Sequence, residues 1–231
     1  MSTNSTTSSM EYDESSETGG TWAPAPAGGL RVEQLLPPDR PGKSWLCRLE
    51  DGSRLRITQG EVADFALYAG RGLSPSETEA LRAAAGRSLL REKAMTLLTG
   101  RPHSAGELVD KLKARGGSEE EAWEVAQWAE DLGLLNDKEY AKSVARHYSA
   151  KGYGIYKIKN ELFRRKVPRA CWEDALNEMA PPDEAVDRYL DKHLHSDDPK
   201  EVKRASDALA RRGFSWREIS RGLSRRRLLE E

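Results

Sequence analysis

From Leu73 onward, apolar residues recur three and four positions apart, the spacing that lines one face of an α-helix. Serine starts with a glutamate three residues later divide this region: Ser74 with Glu77, Ser104 with Glu107, Ser118 with Glu121 and Ser215 with Glu218, with Asn136 and Glu139 as a weaker version. Each is a capping-box pattern, in which hydroxyl and carboxylate satisfy the free N–H groups of a first turn. Pro75 fits the first helical position. The period predicts helices over 87–98, 105–115, 119–132, 137–150, 154–166, 169–179, 183–194, 199–212 and 216–227. Before them, Trp45–Leu49 and Arg54–Thr58 flank Asp51-Gly52, a hairpin turn signal. A lone hairpin is marginal in water, so a helix around Glu61–Tyr68 is expected to pack on it.

The helices form a repeat. With Gly117, Val167 and Phe214 aligned, Leu112, Leu162 and Leu209 lie five residues earlier, and Leu108, Ile158 and Ala205 nine earlier. Arg115, Arg165 and Arg212 lie two earlier. The unit is about 50 residues, in the range of helical repeats, and holds three helices. The expected organisation is an acidic disordered tail over 1–29, a small β-hairpin plus helix region over 30–72, a helical linker and first repeat over 73–135, and further repeats over 136–181 and 182–231. Gly152 falls where a helix end needs φ > 0 and Gly154 where the next helix starts, with Tyr153 packing in the corner.

Composition sharpens this picture. Only 37% of the 231 residues are hydrophobic and 32% are charged, which suits short amphipathic helices without one deep core. Cys47 and Cys171 have no metal-site or disulfide-framework spacing and read as ordinary reduced thiols. No apolar run reaches a membrane span, and the N-terminal MSTNSTTSSMEYDESSETGG lacks the features of a secretory signal, so the expected location is cytoplasmic.

The net charge of −1 conceals a strong segregation. Between 104 and 137, Glu107, Asp110, Glu119, Glu120, Glu121, Glu124, Glu130 and Asp131 outnumber the bases. Between 142 and 169, nine lysines and arginines face Glu161 alone, and the third unit is basic again. Lys157, Arg164 and Arg165 return to one side of a helix, Ile155, Ile158 and Leu162 to another. Such ridges suit a polyanion or an acidic protein groove. The candidate partner-binding residues are Lys151, Lys157, Lys159, Arg164, Arg165, Lys166, Arg204, Arg211, Arg212, Arg225 and Arg226. His103, His147, His193 and His195 show no ligand spacing, and no GxSxG, Walker A or HExxH run is present, so no catalytic, metal or cofactor residues are expected. Trp123, Trp128 and Trp172 are expected to pack between helices; Trp216, beside Arg217, is the least core-like.

Gly133-Leu134-Leu135-Asn136-Asp137, Tyr140-Ala141, Val144, Lys151-Gly152-Tyr153-Gly154, Ile158, Glu161-Leu162 and Arg164-Arg165-Lys166 together resemble the RecX family. So do Ser104, Glu107, Leu108, Lys111 and Leu112, and the closing run from Leu209 to Phe214. The resemblance covers roughly residues 88–229. It departs at Lys166, where the family commonly has Gly, and at Gly117, an apolar position. It implies a mainly α fold of tandem three-helix repeats in an elongated curved array. It also implies a non-enzymatic monomer, without cofactor, that lodges in the groove of the RecA filament on DNA and restrains ATP hydrolysis, strand exchange and filament growth. That places it in homologous recombination, DNA repair and the SOS response. The alternative is a basic helical-repeat protein that binds single- or double-stranded DNA without RecA.

Overall fold

The computed structural model describes residues 25–40, 43–196 and 198–230, without the side chains of 227–230. The tail expected over 1–29 therefore lies almost wholly outside the described residues. The chain divides into two compact units between Ala83 and Ala84.

The first unit is built on an antiparallel sheet of order β3-β2-β1-β4, from β1 Leu30–Leu36, β2 Trp45–Leu49, β3 Arg54–Ile57 and β4 Gly72–Leu73. The predicted hairpin is β2–β3. Gly52 takes φ +81°, and Asp51 Oδ1 accepts from the Ser53 backbone N–H at 2.9 Å and hydroxyl at 2.6 Å, which closes the turn. β1 and β4 were not anticipated. The first has a register shift between Val32 and Gln34, which breaks the alternation that marks a strand. Val32, Cys47, Leu49, Ile57, Leu73 and Leu81 are all fully buried. Burial pushes the Cys47 thiol up to about 11, so it stays protonated. The helix expected over Glu61–Tyr68 is shorter: α1 spans Gln59–Asp64, capped by a reciprocal Thr58–Glu61 box, and Ala66 at φ +44° turns the chain away.

α2 is one 26-residue helix, Pro75–Gly100, rather than a helix confined to 87–98. Its box is formed, with the Ser74 N–H donating to Glu77 at 2.8 Å and the Glu77 N–H to the Ser74 hydroxyl at 3.2 Å. The remaining helices follow the predicted order: α3 Ala105–Lys113, α4 Glu119–Asp131, α5 Asp137–Ala150, α6 Ile155–Arg164, α7 Trp172–Asn177, α8 Pro182–His193, α9 Pro199–Arg211 and α10 Trp216–Glu230. α7 is short because Arg169–Cys171 form a separate 3₁₀ turn after Pro168.

Each of the three helical repeats carries its own core. Leu90, Leu108, Leu112 and Val125 anchor the first, Ile158 and Leu162 the second, and Val186, Leu190, Leu209 and Ile219 the third. The aligned positions behave alike, since Leu112, Leu162 and Leu209 are all fully buried. The residue closing the second helix of each repeat has positive φ: Gly116 at +94°, Lys166 at +55° and Gly213 at +90°. The gap left at Gly117 is occupied by the methyls of Leu90, 3.0 Å from where a Cβ would stand.

Successive repeats meet through their second helices, the C-terminal end of one against the N-terminal turn of the one before. At the second junction the Gly154 N–H donates to Arg212 O at 3.0 Å and the Tyr156 N–H to Gly213 O at 3.1 Å. At the first, the Ser104 hydroxyl donates to Arg165 O, and the Ala105 N–H to Asp137 Oδ1 at 3.0 Å. In both, free N–H groups of a helix start receive acceptors brought by the neighbouring repeat. The Ser104 box is only half formed. Its hydroxyl accepts from the Glu107 N–H at 3.0 Å, but the Glu107 carboxylate pairs with Arg101.

Candidate functional site

α6 carries much of the basic run between 142 and 169, and its buried side explains part of that charge. Ile158, Glu161 and Leu162 face inward. Glu161 is only 7% exposed, so its carboxylate needs partners in place. Arg164 supplies two hydrogen bonds, at 2.6 and 3.2 Å, with Arg165 Nε at 3.7 Å and Lys157 Nζ at 3.8 Å. Burial works against the charge of Glu161, but these partners and Tyr148 outweigh it and hold the carboxyl below its ordinary pKa. The single acid in the basic run is therefore the buried hub of three of its cations. Lys157, Arg164 and Arg165 do share one side of the helix.

The structure sorts the eleven predicted residues into two groups. Several are engaged within the fold. Arg165 donates to the Tyr140 hydroxyl at 2.7 Å as well as meeting Glu161. Lys166 pairs with Asp110 across the first junction. Arg212 lies over the rings of Tyr189 at 4.8 Å and Tyr153 at 5.8 Å, which explains Tyr153 as part of the corner between repeats. Arg225 grips Asp187 with bonds of 2.7 and 3.1 Å, and Arg226 meets Asp191 at 3.3 Å. The others are exposed, except that Lys159 is half-buried. Lys151, Lys159, Arg204 and Arg211 have no ion pair among the described residues. Arg164 remains 69% exposed beyond its contact with Glu161.

Sequence reasoning overlooked the aromatic part of this surface. Tyr156 and Phe163, seven residues apart and hence on one face of α6, are 56% and 68% exposed. Lys159 and Arg164 flank them, with Asn160 between. At 100° per residue this pair falls on the side of α6 away from Ile158, so the signal was present in the pattern. Among the tryptophans, Trp172 packs as expected, donating its Nε1–H to Val167 O at 3.0 Å, and Trp128 lies under Arg91 against the first core. Trp123 does not: it is 49% exposed, because the buried stripe of α4 runs through Ala122, Val125, Ala126 and Ala129 and leaves position 123 to one side. Trp216 is 70% exposed.

Among the described residues, no group of His, Cys, Asp and Glu is placed to hold a metal ion, and no helix is long and apolar enough to cross a membrane. Both cysteines are free and buried.

Comparison with known proteins agrees with this architecture. Residues 91–127 match the family model of the first three-helix domain of RecX, and residues 136–176 that of the second. A regulatory protein RecX of Pseudomonas putida strain GB-1 is 37% identical over 143 residues, which cover 60% of this chain and 92% of the relative. One of Pseudomonas fluorescens strain SBW25 is 34% identical over 142 residues, 59% and 91% of the two chains. A solved crystal structure of regulatory protein RecX superposes with a TM-score of 0.67 at 18% identity, over 83% of this chain and 97% of that one. That of RecX from Lactobacillus salivarius does so with 0.55 at 23% identity, over 63% and 99%.

Proposed function

The chain belongs to the RecX family, and from that premise we propose that it binds the RecA filament on DNA through the outward face of α6 and restrains ATP hydrolysis, strand exchange and filament growth. The observation that carries this reading is the pairing of exposed Tyr156 and Phe163 with Lys159 and Arg164 on one helix face. Aromatic rings beside arginine are the usual energetic centre of a protein interface. The surrounding cations favour an acidic wall and speed encounter with it. No chemistry is required of the regulator. Binding one state of a filament more tightly than another shifts its equilibrium by the difference in affinity, and a repeat protein bridging protomers would favour a filament that does not cycle.

The test is the single-stranded-DNA-dependent ATPase rate of RecA as purified protein is added, well below the concentration that coats DNA alone. Suppression at substoichiometric ratios is expected. The double substitution Tyr156→Ala, Phe163→Ala touches no core position, and should raise the concentration needed by about tenfold, the loss of roughly 1.4 kcal/mol of binding. A folded double variant that suppresses as well as the parent would remove α6 from the interface. Reversing Arg164 and Arg165 to Glu is the less clean experiment, because a carboxylate at position 165 would face the buried Glu161.

A further inference from the structure

α4 in the first repeat and α9 in the third expose faces of opposite charge with the same spacing. On α4, Ala122, Val125, Ala126 and Ala129 are buried, and Glu120, Trp123, Glu124, Gln127 and Asp131 lie on the exposed side. On α9, Ala205, Ser206 and Leu209 are buried, and Lys200, Lys203, Arg204, Asp207 and Arg211 lie on the exposed side. Both sets follow the steps i, i+3, i+4, i+7 and i+11, so each face runs about 17 Å at about 1.5 Å per residue. Glu119 and Glu121 are already engaged, the first with Lys113 at 2.8 Å and the second in the Ser118 box. Glu120 and Glu124 have no ion pair among the described residues, and neither do Lys200, Lys203, Arg204 and Arg211. Trp123, half exposed, stands in the middle of the acidic face.

We propose that these two faces join copies of this chain head to tail, α4 of one protomer on α9 of the next. Laid parallel, they set Glu120 on Lys200, Glu124 on Arg204 and Asp131 on Arg211, with Gln127 beside Asp207 and Trp123 beside Lys203. Laid antiparallel, they would oppose Glu124 to Asp207. In the parallel register the tryptophan ring takes a cation and serves as the anchor, while the charge pairs around it select the partner and the register. Nucleic acid is the poorer occupant of α9. Asp207 sits within that face and repels phosphate, and the acidic face of α4 would be left with no role. One contact between copies accounts for both faces. Because every copy carries both, the contact is heterologous and extends from copy to copy. One helix face on each side is small beside the roughly 1,000 Å² of a stable interface, so the dilute chain is a monomer and association sets in at raised concentration and low salt. The contact is separate from the outward face of α6 and does not rest on RecA binding.

The experiment is sedimentation velocity of the full chain over rising concentration, with neither DNA nor recombinase present. At low salt the parent should sediment faster as its concentration rises, and it should return toward the monomer at about 1 M salt, where charges are screened beyond about 3 Å. Glu120→Lys, Glu124→Arg reverses one face and Lys200→Glu, Arg204→Glu the other. All four side chains are exposed, so the folds should survive, as circular dichroism will verify. Each variant alone should lose at least about tenfold in self-association, since like charges then face each other. An equimolar mixture of the two variants should associate as the parent does, because each reversed face finds its complement on the other chain. A mixture of folded variants that stays monomeric would overturn the proposal. So would a Lys200→Glu, Arg204→Glu variant that still self-associates, which would place the contact elsewhere, or a parent that remains monomeric up to about 1 mM. If the parent never self-associates and the α9 variant instead loses affinity for a labelled oligothymidylate, α9 is a phosphate-binding face and the head-to-tail contact is overturned.

Discussion

The two junctions between repeats share a plan and differ in the atoms that close it. At the second, backbone meets backbone: the N–H groups of Gly154 and Tyr156 reach the carbonyls of Arg212 and Gly213. At the first, two side chains intervene, the Ser104 hydroxyl on Arg165 O and the Asp137 carboxylate on the Ala105 N–H. The contrast shows what sequence a stacked repeat must supply. Direct backbone contact demands glycine where the chains touch, while side-chain closure introduces groups that titrate. In both, the negative end of one helix abuts the positive end of another, which aligns their dipoles favourably.

The most disruptive test of the contrast is Gly154→Ala. A Cβ there would stand 2.5 Å from the Gly213 carbonyl carbon and 2.7 Å from the Phe214 nitrogen, both backbone atoms that cannot swing away. The expected loss is about 3 kcal/mol or more, seen in urea unfolding as an earlier or separate transition of the third repeat. A loss within about 0.5 kcal/mol, the range of an ordinary surface change, would show that the backbone contact is dispensable.

That close approach was only half legible. Gly152 and Gly154 were placed correctly at a helix end and a helix start from local chemistry, and Gly152 has φ +74° as a helix end requires. The stronger reason for Gly154, its contact with a residue 59 positions away, belongs to tertiary structure and leaves no local trace. The helical repeat itself was readable, because caps and apolar period are local signals that agree with the fold. The site was less so. The basic run was visible, but which cations are satisfied depends on Asp183, Asp187 and Asp191, about 38 residues before their partners.

The first junction should respond to acid where the second does not. Glu161 Oε2 lies 3.7 Å from the Nε of Arg165, whose carbonyl accepts from Ser104. Its folded pKa lies below the ordinary value, so it contributes stability that is present above the unfolded pKa of about 4.3 and is lost as pH falls through the folded value. Asp137 has the opposite sign. Burial raises its pKa, only partly offset by the Ala105 N–H and reinforced by Glu130, so its ionised form is a cost that protonation relieves as pH falls through the raised value. Glu161→Gln should therefore cost about 1–3 kcal/mol at neutral pH, and much less once pH is below both values for Glu161. Asp137→Asn, which keeps an acceptor for Ala105, should be neutral or gain up to about 1 kcal/mol at pH 7. Denaturant titrations at neutral and acid pH measure both. A Glu161→Gln penalty that is independent of pH would show that shape, not charge, holds the junction.

Lys166 supplies the finest test, because it is the one residue of three equivalent positions that is not glycine. At φ +55° it carries a left-handed conformation that Gly116 and Gly213 adopt without a side chain. For a residue with a Cβ that costs about 1–2 kcal/mol. Against it stand the ion pair with Asp110, in which both side chains are about half exposed and which is worth at most about 1 kcal/mol, and the greater freedom that glycine restores to the unfolded chain. Lys166→Gly should thus stabilise by less than about 1 kcal/mol, and the gain should grow at high salt, where the lost pair counts for less. Lys166→Ala separates the two contributions, since it removes the pair and keeps the Cβ, and should destabilise slightly. If both substitutions destabilise equally, the ammonium and not the backbone governs the position, and the first junction is held by charge at Lys166 just as the second is held by the absence of a side chain at Gly213.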